Sequence, residues 1–171
     1  ILNDLTYYGR GPEENYRDRR TSQFIGEYTT PIKDLYEPYI RPQENEHRTD
    51  IYWCALTTKQ KAGLLFIADR TFELNASNYL LGSLDSGETI DNGAPRTNET
   101  NHRHLTDPQP VKQVDMFIDY RMMGVGGDNS WGAIAHEPYL IRPGVENAIE
   151  YGFSIVPFDK KADYKNLIYQ Y

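Results

Sequence analysis

The sequence contains one cysteine, no long apolar run and no cluster of positive charge. The lone thiol of Cys54 cannot close an internal disulfide, which excludes a disulfide-stapled scaffold and a zinc site built from cysteines. No apolar stretch approaches the roughly 20 residues that a membrane helix needs, and the residues after Ile1 lack the charged and apolar regions of a signal peptide. We therefore expect a soluble chain without a membrane partner, in either the cytoplasm or the periplasm.

The charge balance argues against a second class of partner. The chain has 18 lysines and arginines against 25 acidic residues, a formal net charge of −7. Because phosphate binding requires clustered Lys and Arg side chains, we expect no nucleic-acid partner. Apolar surface is supplied mainly by large rings, since aromatic residues make up 13% of the chain and include 14 tyrosines. A length of 171 residues predicts one domain with one core.

Short segments rich in β-branched and aromatic residues predict a mainly β fold. They lie at residues 5–8, 24–28, 51–56, 64–68, 114–120 and 149–156. In the last segment Ile149, Tyr151, Phe153 and Ile155 alternate on one face. No stretch keeps a helical period for three turns, so the sequence favours a β-sandwich with long loops at 82–104 and 124–138. Residues 159–171 show little core pattern and are expected to form a C-terminal extension.

The loop GVGGDNSWGAI, residues 124–134, presents one tryptophan after several flexible residues. Glycines and short polar side chains are typical of a turn. Trp131 offers a flat ring with one N–H donor, which suits either stacking on a sugar or closing over a core. Asp128 and Asn129 could hydrogen-bond a sugar hydroxyl or cap backbone N–H groups of the turn.

Two charged motifs are candidates for chemistry. GPEENYRDR, residues 11–19, brings Glu13, Glu14 and Asp18 beside arginines, and PQENEHR adds Glu44 and Glu46. A retaining glycosidase needs two carboxylates roughly 5 to 5.5 Å apart across a sugar, which neighbouring loop residues do not guarantee. The alternative interpretation is that salt bridges and hydrogen bonds of these side chains order the loops.

NHRHL, residues 101–105, is the densest titratable cluster. His102 and His104 are two residues apart and would point to opposite faces of a strand, which disfavours a shared metal ion. Either histidine could serve as a general acid or base, or could hydrogen-bond a neighbouring loop.

The order and spacing of GPEENYRDR, LYEPYIRPQENEHRTD, NHRHL and GVGGDNSW resemble the C-terminal, or small-chain, domain of bacterial β-galactosidases of glycoside hydrolase family 2. The resemblance runs from about Gly9 to Pro157. It implies an all-β fold, an antiparallel β-sandwich of the galactose-mutarotase-like supersandwich type, of which this chain is the C-terminal half. Residues 1–171 are then a single domain, with 158–171 as an extension. The strand-like opening at Ile1 fits a fragment of a larger sandwich.

The resemblance also implies a function in retaining hydrolysis of terminal β-galactosides. The family's two catalytic glutamates and its magnesium ligands lie in a central domain outside this chain. We therefore expect no catalytic or metal-binding residue here, no cofactor in this chain, and no activity of the chain alone. Magnesium, and sodium as a second candidate, belong to the parent enzyme. The implied substrate-binding residue is Trp131, with Gly126, Gly127 and Asp128 supporting its loop.

The expected partners are the remaining domains of the parent enzyme, a β-galactoside substrate and further copies in a homo-oligomer. Two other functions stay open. An aldose epimerase on the same sandwich type would use a histidine and a carboxylate, for which His102 and His104 are the candidates. A galactoside-binding or purely structural module would need neither a catalytic histidine nor a catalytic carboxylate.

Overall fold

The computed structural model describes residues 2–84, 104–129, 132–144 and 148–171. These residues form six strands: β1 (Leu2–Gly11), β2 (Phe24–Pro31), β3 (Arg48–Thr58), β4 (Gly63–Ser77), β5 (Asp115–Asp119) and β6 (Phe153–Phe158). In the described part of the chain, helical structure is limited to a short α-helix, α1 (Tyr164–Leu167), and 3-10 helices at Ile32–Asp34, Leu81–Ser83, Glu137–Tyr139 and Ile168–Gln170. No helix within these described ranges is long and apolar enough to cross a membrane.

All strand pairs are antiparallel, in the order β2-β1-β3-β4-β5. The long strand β4 pairs with two strands in succession, with β6 through Gly63 to Ala68 and with β5 through Glu73 to Ser77. The all-β, antiparallel fold class predicted from the sequence is confirmed. Each face of this sheet carries a cluster of buried apolar side chains.

The first core occupies one face of the sheet. Its buried members come mainly from β1, β3 and β4, and they are Leu5, Tyr7, Ile32, Leu35, Ile51, Cys54, Leu56, Phe66, Phe72, Leu74 and Ala76. The Cys54 thiol is fully buried, and this burial raises its pKa. The thiol therefore packs as a small apolar group.

The second core lies on the opposite face, and the C-terminal segment covers it. It consists of Trp53, Ala55, Leu65, Ile67, Val156 and Phe158. Tyr164 of α1 packs its ring 6.2 Å from that of Trp53 and 5.0 Å from that of Phe158, measured between centroids. Leu167 and Ile168 pack against the same cluster. The segment expected to be an extension thus buries apolar surface of the sheet.

All six strands differ somewhat from their predicted bounds, and the two largest differences lie at the start of β6 and the end of β4. The prediction for residues 149–156 was wrong at its start, since β6 begins at Phe153 and Tyr151 lies before it. In β6, Phe153 packs against the first core and Val156 and Phe158 belong to the second, whereas Ile155 is exposed. Conversely, β4 extends well beyond residue 68, because the polar residues of its second half are buried in hydrogen bonds.

Candidate functional site

The glycine-rich loop after β5 is held by hydrogen bonds to two distant parts of the chain. The backbone N–H of Gly124 donates to the carbonyl oxygen of Tyr139, with N···O 2.9 Å. The backbone N–H of Gly126 donates to Asp18 Oδ2, also at 2.9 Å. Residues 124–126 are therefore fixed between the motif at 11–19 and the turn at 137–139.

Two glycines of this loop are required by close packing. A Cβ atom on Gly127 would lie 2.2 Å from the carbonyl oxygen of Ala133, and one on Gly124 would lie 2.7 Å from Tyr139 Cβ. Both distances are far below van der Waals contact, and the Ala133 oxygen belongs to the backbone and cannot rotate away. At Gly126, by contrast, a Cβ atom would meet only ordinary contact, 3.6 Å from Asp18 Oδ2. Gly127 thus lets the two limbs of the loop approach each other.

Asp128 closes the loop on its solvent side. Its Oδ1 lies 2.7 Å from His136 Nε2, and the two side chains are 80% and 62% exposed. The Asp128 carboxylate thus makes a hydrogen bond across the loop, and binding of a sugar hydroxyl by Asp128 stays a prediction. Sequence reasoning missed His136, since an eight-residue spacing carries no recognisable motif.

A buried polar network contacts the chain just before this loop. His47 is fully buried, with Nδ1 2.7 Å from Asn75 Oδ1 and Nε2 2.8 Å from Glu73 Oε2. The same Glu73 oxygen accepts a hydrogen bond from the backbone N–H of Met122, at 2.6 Å. The network therefore fixes the chain two residues before the loop begins at Gly124. Nothing in the spacing of these residues indicated it.

The charge state of His47 follows from its neighbours. Burial acts to lower the pKa of the imidazole, but the hydrogen bonds to Glu73 and Asn75 and the charge of Glu73 outweigh it, so the pKa is raised. The ring of Tyr16 stacks on the imidazole with centroids 5.3 Å apart. A protonated His47 beside Glu73 forms a buried ion pair.

The motif at residues 11–19 is ordered as a salt-bridged loop, as one interpretation of the sequence expected. Glu14 is buried and accepts hydrogen bonds from Arg19 Nη1 at 3.1 Å, from the backbone N–H of Glu46 at 2.9 Å, and from the Tyr39 hydroxyl. Glu13 faces Gln23, whose Oε1 accepts from the Glu13 backbone N–H at 3.1 Å. The carboxylate of Glu14 thus connects three loop segments.

A small cavity of about 100 Å³ lies beside the network, lined on its polar side by Glu44, Glu46 and Asp119. Burial raises the pKa of all three carboxyl groups, that of Glu46 to about 8. Because its pKa is about 8, the carboxyl group of Glu46 is protonated for much of the neutral range. Glu46 also adopts a left-handed backbone conformation, φ 68°, which is unfavourable for a residue larger than glycine.

The family model for the β-galactosidase small chain matches residues 1–155. The chain belongs to the β-galactosidase small-chain family. Among relatives named β-galactosidase, that of Priestia megaterium is 34% identical over 140 residues, 82% of this chain and 12% of the relative. The protein of Streptococcus thermophilus is 31% identical over 139 residues, 81% and 12% respectively. That of Lactobacillus delbrueckii subsp. bulgaricus is 33% identical over 141 residues, 82% and 12%. The small chain thus spans about 12% of the length of these relatives.

Not every residue predicted for this small-chain domain can be located. Trp131 and His102 lie outside the described residues, whereas Gly126, Gly127 and Asp128 all belong to the described part of the loop. His104 lies in an exposed turn, where its Nδ1 is 3.2 Å from Asp107 Oδ2. Within the described ranges, no three or more His, Cys, Asp or Glu side chains are grouped so that they could hold a metal ion.

Proposed function

We infer that this chain is the domain of a β-galactosidase that completes the mouth of the active site, and that Trp131 stacks on the aglycone side of the substrate. The observation that carries this proposal is the family match over residues 1–155. Stacking at that position orients the leaving group without touching the bond that breaks. The catalytic glutamates and the magnesium ions belong to other domains of the parent enzyme.

The geometry of the loop supports the proposal. Hydrogen bonds fix the backbone at Gly124 and Gly126, and the pair between Asp128 and His136 spans the positions on either side of Trp131. A loop whose described backbone is held at several points is pre-organised for binding. An open cavity of about 340 Å³ borders this loop at Val125 and is lined by the polar side chains of Arg19 and Tyr39, which suit sugar hydroxyls.

The environment of two buried carboxylates also supports the proposed function. Glu14 and Glu73 are buried and engaged in several hydrogen bonds each, so they are poor candidates for a glycosidase acid and nucleophile. Their contacts instead hold loop segments together. These two carboxylates thus serve the structure of the domain, and we assign the chemistry of hydrolysis to the rest of the enzyme.

The test is the variant Trp131→Ala in the complete enzyme, with Trp131→Phe as the control that retains an aromatic face. Losing one stacked ring should raise KM for lactose roughly tenfold, with a smaller change in kcat, and should impair transfer to acceptor sugars. Trp131→Phe should recover most of the loss. Unchanged kinetics of Trp131→Ala with lactose would refute the stacking role.

One contact favours an aldose epimerase as a second candidate. The pair of His104 and Asp107 supplies a histidine and a carboxylate together, although the imidazole is 80% exposed. Following the optical rotation of fresh α-galactose with the purified chain distinguishes the functions, because only an epimerase would accelerate mutarotation.

A further inference from the structure

We propose that Asp18 is a positioning residue for substrate binding, which acts by holding the loop that carries Trp131. This inference rests on the proposed function of that loop. It gives the motif at residues 11–19 a part in recognition of the aglycone, although Asp18 itself is not assigned to touch the substrate.

The contacts that carry the inference join segments more than 100 residues apart. Asp18 Oδ2 accepts the backbone N–H of Gly126 at 2.9 Å, and the neighbouring Arg17 donates from Nη2 to the carbonyl oxygen of Pro138 at 3.3 Å. Gly124 packs so closely on Asp18 that an added Cβ would lie 2.8 Å from its Oδ2. Two adjacent residues of one motif thus hold both limbs of the loop.

The hydrogen bond at Asp18 is suited to orienting the loop rather than to stabilising the core. It lies at an exposed position, so removing the carboxylate leaves the Gly126 N–H free to bind water. The other oxygen, Oδ1, is buried and has no hydrogen-bond partner among the residues that the structure describes, so the contact that truncation removes there is that of Oδ2. Truncation at Asp18 should therefore loosen the loop while leaving the sheet intact.

The two possible readings of Asp18, positioning and general support, differ in how its loss combines with the loss of Trp131. If Asp18 acts through the tryptophan, its removal has no further effect once the ring is gone. If Asp18 supports the domain in general, the factors by which the two substitutions raise KM multiply in the double variant.

The experiment compares complete enzymes carrying Asp18→Ala, Trp131→Ala and both substitutions, assayed with lactose. We expect Asp18→Ala to raise KM roughly threefold to tenfold, the range of one typical hydrogen bond, with little change in kcat. The double variant should match Trp131→Ala alone. Asp18→Asn retains a carbonyl acceptor for the Gly126 N–H and should recover most of the wild-type KM. The matched control is Asp34→Ala, an exposed aspartate beside Lys33, which should leave KM unchanged.

The outcomes separate the two proposals. Multiplying effects of the two substitutions, or wild-type kinetics of Asp18→Ala beside an impaired Trp131→Ala, would overturn the role of Asp18 and leave the proposed function standing. Wild-type kinetics of Trp131→Ala would overturn the proposed function itself. If Asp18→Ala fails to fold, Asp18→Leu, which has a similar shape but no acceptor, takes its place in the same comparison. A KM of Asp18→Leu equal to wild type would overturn the inference.

Discussion

Replacing His47 with alanine tests the buried network most severely. The substitution removes the partner of Glu73, a carboxylate with only 4% of its surface exposed, and leaves Asn75 Oδ1 without its hydrogen bond at 2.7 Å. Among the described residues, the hydrogen-bond donor left to Glu73 would be the N–H of Met122. Breaking a buried ion pair from one side costs about 3–5 kcal/mol. That is a large part of the roughly 5–15 kcal/mol that stabilises a typical domain.

The effect of this substitution should depend on pH with a definite sign. The pKa of His47 is raised in the folded chain, so its ionic contribution is complete below the unfolded pKa of about 6.5 and is lost as the pH rises through the folded pKa. The difference in free energy of unfolding between wild type and His47→Ala should therefore be largest near pH 6 and smaller near pH 9.

The assay is urea denaturation of the purified chain at both pH values. The control is His104→Ala, since the His104 side chain is 80% exposed and its pair with Asp107 lies in solvent, where such pairs contribute little. A loss below about 1 kcal/mol for His47→Ala at pH 6 would contradict the ion pair. An equal loss at both pH values would contradict the raised pKa.

Three further predictions concern the cavity, the loop and the C-terminal segment. Glu46→Gln should flatten the pH dependence of stability. Burial raises the pKa of Glu46 to about 8, so the stability of the wild type falls as the pH rises from about 4.5 through that value. Urea denaturation at pH 5 and pH 9 measures the difference between the two proteins. Gly127→Ala should displace the loop and raise KM of the complete enzyme, because a Cβ atom on Gly127 would lie 2.2 Å from the backbone oxygen of Ala133. Gly126→Ala should leave KM unchanged, because a Cβ atom there meets no atom of the described residues closer than 3.6 Å. Tyr164→Ala should lower the free energy of unfolding by about 2 kcal/mol through lost packing on the second core, and Trp53 emission should shift to the red.

The sequence predicted strands where β-branched and aromatic residues are concentrated. β1, β2 and the first half of β4 lie where such residues indicated them, whereas the segment with the plainest alternation, 149–156, is a strand only from Phe153 onward. The second half of β4 escaped prediction because Glu73 and Asn75 interrupt the apolar pattern. Their burial depends on distant hydrogen-bond partners, which include His47 just before β3, Met122 and Glu44. No local rule contains these pairings.

The candidate site was predictable in its parts but not in its assembly. Residue types indicated a turn at 124–131 and a salt-bridged loop at 11–19, and the family resemblance implied a role for Trp131. That Asp18 holds Gly126 depends on the course of the whole sheet, which brings together residues separated by 108 positions. One sequence carries no signal for such a contact.

The measurement that tests the central claim most directly is hydrolysis of a chromogenic β-galactoside by three samples. They are the purified chain, the remainder of its parent enzyme, and the two combined. We predict activity in the combined sample and none in the purified chain, because the catalytic glutamates are assigned to the other domains. Hydrolysis by the purified chain alone would contradict this account and would make Glu13, Glu14 and the histidines candidates for catalysis.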